Sequence, residues 1–219
     1  MFVGHFGVGL GLRALTPAIS LGTLFLAAQF VDLLWPTFLL VGLEHVEIAP
    51  GITGVTPLDF THYPISHSLL AVVGWSVLFA LVYRLVRKHR SGAVICGFAV
   101  LSHWILDLIT HRPDLPLYPG GEALVGFGLW NSVWATLAVE LLIFAAGIWL
   151  YLRRTSARDR IGSIGLWCLL GFLLIVYVGN IFGPPPETVA QIAWVGQAQW
   201  VLIAWGYWVD GHRQASVCA

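Results

Sequence analysis

Long apolar stretches constrain this chain more than any other feature. About 20 apolar helical residues cross the roughly 30 Å hydrocarbon layer of a bilayer. Five stretches reach that length: residues 20–43, 66–86, 92–110, 129–152 and 161–182. Residues 188–209 form a sixth, while residues 2–15 are shorter, contain Arg13 and are read as a short span within the bundle. Lipid cannot bond free backbone N–H and C=O groups, so the expected fold is all-α, a polytopic transmembrane bundle of six to seven helices. With 58% hydrophobic and 10% charged residues, the chain is far too apolar for a soluble domain of 219 residues. A formal net charge of zero offers no footprint for nucleic acid. No long linker, low-complexity tract or clear repeat divides residues 1–219, which are read as a single integral membrane domain.

Orientation follows from Lys and Arg, which gather in cytoplasmic loops. They cluster at Arg84, Arg87, Lys88 and Arg90, and again at Arg153, Arg154, Arg158 and Arg160. The loops 44–65 and 111–128 carry acidic residues and one basic residue, Arg112, and are expected outside. The N-terminus then falls outside and the tail from Asp210 inside. The opening Met-Phe-Val-Gly-His lacks the charged region of a secretory signal, so no cleavage is expected. Cys96, Cys168 and Cys218 are far apart and form no C-x-x-C pair, so a metal would need nitrogen and oxygen ligands.

Ionisable residues within spans are costly, and here they concentrate. His103 and Asp107 are spaced i,i+4 on one helical face, and His111 extends that row by a turn before Pro113 ends the helix. Asp114 in the following loop is a weaker ligand candidate. Asp32 lies in the first clear span, where Pro36 removes the N–H that would bond the carbonyl of residue 32, so a kink is expected at that proline. His62 and His67 flank the outer entrance of the next span, with Pro64 suited to its first turn. His5, if the N-terminus is outside, lies at the same level. Five histidines and two aspartates thus meet in one leaflet, in a topology derived without them. Zinc accepts imidazole nitrogen and carboxylate oxygen, and this set could hold two or three zinc ions, with other divalent metals possible.

These residues resemble those of the predicted membrane-bound metal-dependent hydrolases, a bacterial family. The resemblance rests on His5, on Asp32 in Gln29-Phe30-Val31-Asp32, on His62-x-x-x-x-His67-Ser68, and on Ser102-His103-Trp104-Ile105-Leu106-Asp107 with Thr110 and His111. It covers roughly residues 1–120, and the further spans within 129–209 add no motif. Tyr63 and Val31 stand where that family usually has Arg and Pro. The order of ligands is also similar to that of the soluble zinc-dependent phospholipases C. The resemblance implies metal-dependent hydrolysis of a lipid or lipid-linked phosphodiester, or another ester, at the outer face of a bacterial inner membrane. His5, Asp32, His67, His103, Asp107 and His111 would hold metal, and Asp32 would bridge two ions or take a proton. His62 is a second catalytic candidate.

Two other classes compete. A di-iron oxygenase could use His62 and His67 as a first histidine box, although no H-x-x-H-H box follows. A metal or proton transporter would need such residues on both sides of the midplane, and the cytoplasmic half of the spans is nearly free of them. His45, His89 and His212 read as packing or interfacial residues. Glu140, deep in its span, is expected to pair with Arg13, and Trp104 beside His103 is the tryptophan nearest the chemistry. Substrate identity and oligomeric state lie beyond the sequence.

Overall fold

A computed structural model of the chain describes residues 1–216, and among the described residues four helices are long and apolar enough to span a bilayer. Cys218 lies outside the described residues. The four are α5 (Leu69–Arg87), α6 (Arg90–Thr110), α7 (Val133–Arg154), and α8 (Leu166–Phe182) with the π-helical turn Ile161–Gly165 that leads into it. α5 shows why lipid is its solvent: Val73, Val77, Leu81 and Leu85 are exposed along it.

The first clear span is broken. α2 (Leu21–Ala28) and α3 (Phe30–Leu40) meet at Gln29 with a bend of 55°, so the expected kink at Pro36 is corrected to Gln29. The helix continues through Pro36 because the carbonyl freed at Asp32 accepts from Gln199 Nε2 at 3.4 Å, while the proline ring packs against Gly196. The expected sixth span is likewise two helices, α9 (Val189–Gln197) and α10 (Gln199–Gly211). The two broken segments pack side by side, α2 on α10 and α3 on α9.

Residues 2–15 do form a helix of the bundle, α1 (Val3–Leu15), and it is largely buried. Glycines let it approach α7: a Cβ on Gly7 would stand 2.8 Å from the Ile143 carbonyl oxygen, and one on Gly147 would stand 2.1 Å from the Gly7 carbonyl oxygen. At its start, Glu140 of α7 accepts the Phe2 and Gly4 backbone N–H groups at 2.8 and 3.3 Å, donors that a helix cannot satisfy itself. The expected Arg13–Glu140 pair is therefore corrected. Arg13 lies three turns away and pairs with Asp210 instead.

Three small antiparallel pairings cap the bundle. β1 (His45–Ile48) pairs with β2 (Leu58–His62), and β3 (Leu115–Pro116) with β4 (Leu124–Val125), at the end where α6 finishes and α7 begins. β5 (Thr155–Ala157) pairs with β6 (Arg213–Ala215) at the other end, beside the basic loop that follows α7.

Candidate metal centre

Side chains from α1, α3, α6 and the short helix α4 (Pro64–His67) converge where α1 begins. Pro64 occupies the first helical position of α4, as its fixed φ favours. Two groups have ligand atoms lying within 4.8 Å of one another: His5, His103 and Asp107, and Asp32, His67 and His103. His103 Nε2 is 3.0 Å from Asp107 Oδ2 and 3.5 Å from Asp32 Oδ1. His67 Nε2 is 3.5 Å from Asp32 Oδ1 and 3.8 Å from Asp107 Oδ2. His5 Nε2 is 3.2 Å from Asp107 Oδ1, and its ring stacks on His103 with centroids 3.7 Å apart.

Hydrogen bonds on the far side of each ring set its tautomer. His103 Nδ1 lies 2.8 Å from the Ala28 carbonyl, which can only accept, so Nδ1 carries a proton and Nε2 is the atom turned to the carboxylates, with a lone pair when the ring is neutral. Ser66 does the same for His67. Its hydroxyl donates to Glu44 Oε2 at 2.6 Å and so accepts from His67 Nδ1 at 2.7 Å. In neutral rings both Nε2 lone pairs face carboxylate oxygens, an arrangement relieved by a cation between them or by a proton on the ring. His103 Nε2 is fully buried and makes no hydrogen bond of acceptable geometry despite the nearby oxygens. The Met1 amino group lies 2.7 Å from Asp107 Oδ1, so this carboxylate already draws positive charge. The donor set, imidazole nitrogen and carboxylate oxygen with outer partners in place, fits a divalent cation such as zinc.

His103 is common to both groups, and Asp107 lies between their histidines, with Oδ1 toward His5 and Oδ2 toward His103 and His67, the central position that sequence reasoning gave to Asp32. Asp32 contributes Oδ1 to one group only, and its side chain is 22% exposed, facing a cavity. His111 lies just past α6, one residue beyond the last turn expected for it, and its ring centroid is 6.5 Å from that of His67. It belongs to neither three-residue group of ligand atoms. Its Nδ1 is 2.9 Å from Asp114 Oδ1, which also accepts from the Tyr63 hydroxyl at 3.1 Å, while Arg112 Nε donates to Asp114 Oδ2. Burial pushes the His111 imidazole below its ordinary pKa against the pull of Asp114, and the residue lines the cavity. Burial, with Asp114 beside it, raises the Tyr63 phenol and keeps it a donor. Asp114 thus orients His111 and is not grouped with the ligands.

His62 is not brought to the centre. It is exposed on β2, opposite His45 in the hairpin register. Trp104 packs in the core against α2 and α5, and the tryptophans that line the cavity are Trp35, Trp130 and Trp205. Glu44 and Ser66 were missed by sequence reasoning. Ser66 adjoins His67, but Glu44 is 22 residues from Ser66, and only the β1–β2 hairpin closes that gap.

A family model described as YdjM inner membrane protein matches residues 2–183. The chain belongs to that family. The match takes in all the clustered ligands and stops just after α8, so α9 and α10 lie beyond it. No curated protein and no solved structure matches the chain.

Proposed function

We propose that this inner membrane protein is a metal-dependent hydrolase acting on a lipid or lipid-linked phosphodiester, or another ester, at the outer face of the membrane. One arrangement carries the reading: the His67 and His103 Nε2 atoms, with their Nδ1 atoms engaged by Ser66 and the Ala28 carbonyl, converge on Asp32 and Asp107. His5, Asp32, His67, His103 and Asp107 would hold the ions, with His111 at the margin. Zinc bound there supplies Lewis-acid polarisation and lowers the pKa of bound water toward neutrality. Asp32, the most exposed of the carboxylates, faces the cavity and is the group suited to accept a proton from the attacking water. Glu44 and Ser66 hold His67, and Glu140 holds the start of α1 and hence His5. The outer placement rests on Lys and Arg, which mark the opposite end of the bundle as cytoplasmic.

Metal analysis of protein purified without added metal tests this. Zinc in more than one equivalent, lost in His67→Ala/Asp107→Ala, is the expected result. Iron with oxygen-dependent turnover would replace the hydrolase with an oxygenase, and protein free of metal would end the proposal.

A further inference from the structure

The cavity that Asp32 faces measures about 1420 Å³, beyond the roughly 300–1,000 Å³ of an ordinary small-molecule pocket. Its two ends differ in chemistry. Asp32, His67, Asp107 and His111 lie at one end. The other runs between α8 and the broken pair α9–α10, along Phe172, Val176, Val195, Leu202 and Trp205. None of these five is needed to hold a cation. The outer faces of the same helices expose Ile175, Val178, Trp194 and Trp200, so the apolar end is bounded by helices in contact with lipid. At Gly179, also in the lining, an added Cβ would meet nothing within 4 Å.

Two donors in the lining are unsatisfied. Trp35 is 9% exposed and Tyr177 is 2% exposed, yet the Trp35 indole N–H and the Tyr177 hydroxyl have no hydrogen-bond partner. Buried donors are normally paired, so these two call for acceptor oxygens from outside the chain. With cations held at the imidazole and carboxylate end, a ligand suited to this cavity carries negative charge there, oxygens for the two donors, and a long apolar portion.

We infer that the cavity seats a phospholipid, its phosphoryl oxygens accepting from Trp35 and Tyr177 and an acyl chain lying between α8 and α9–α10. The head-group placement rests on the proposed metal site; the chain seat rests on the walls of the cavity alone. Tyr177 and Trp35 would be binding residues that set specificity for a phosphate ester carrying a chain.

The test uses the full-length protein with its purified metal content, in detergent, titrated with phosphatidylglycerol and followed by native mass spectrometry. One lipid retained per chain is expected. Gly179→Trp should reduce retention at least about tenfold by filling the seat, and Tyr177→Phe should weaken phosphatidylglycerol about tenfold while leaving diacylglycerol unchanged, since a hydrogen bond to a charged group is lost only with the former. Equal retention in the wild type and Gly179→Trp, or displacement of the lipid by inorganic phosphate alone, overturns the inference. Zinc measured on the same samples separates the two claims. Retention that follows the variants without zinc removes the metal reading and leaves the chain seat, whereas zinc without such retention removes only the chain seat.

Discussion

Buried charge gathers at both ends of this bundle, and the two gatherings differ in how their atoms are satisfied. At the basic end, Arg13 Nε donates to both Asp210 oxygens at 3.0 and 3.1 Å, and Asp210 also accepts from the Tyr151 hydroxyl and the Leu21 backbone N–H, each at 3.0 Å. Arg213 beside them donates to Thr155 and to the Gly162 carbonyl. Each of these donors meets an acceptor within the protein. At the opposite end, Asp32 and Asp107 face imidazole nitrogens, and His5 Nδ1 and His103 Nε2 are buried without a hydrogen bond. A closed network ties helices together; an open one of the same residue types leaves room for something the chain does not supply.

The largest contrast expected between the ends is all-or-none. In a background without native cysteines, Asp59→Cys should react with an impermeant maleimide on intact cells and Arg158→Cys only after permeabilisation. Protection at 59 would reverse the orientation. Stability gives the next contrast. Asp210→Ala strands Arg13 and should cost about 3–5 kcal/mol, the usual penalty for removing one partner of a buried pair. Asp32→Asn should cost under about 1 kcal/mol in metal-free protein, because no donor depends on it. Unfolding in mixed micelles measures both, and equal losses would erase the distinction drawn here. The smallest expected effect is at an outer partner. Glu44→Gln should lower zinc affinity about 10–100-fold through the orientation of His67 while leaving the other ligands in place. A competition titration with a chelating dye reads it, and unchanged affinity would reduce Glu44 to a cap on α4.

Asp114 and Tyr63 show how local sequence can mislead about role. Asp114 follows His111 by three residues and looks like a further ligand, but its oxygens are taken by His111, Tyr63 and Arg112. Tyr63 stands at a position where the resembling family usually has Arg, and in this chain it serves that carboxylate.

The sequence by itself determined the lipid environment and the helical class, because hydrophobic length and the demand for internal backbone bonding allow little else. It also determined the stacking of His103 and Asp107, since i,i+4 spacing is a property of any α-helix. Which carboxylate is central, which histidine stays outside and where the first span bends were decided only by tertiary structure. Asp107 is central because α1 and α4 bring His5 and His67 to it from different sides of α6, and His62 is excluded because the hairpin turns it outward. Gln29 bends where Pro36 does not because α9 and α10 supply Gly196 and Gln199 against α3. Each of these depends on residues distant in the chain, where neither periodicity nor spacing carries information.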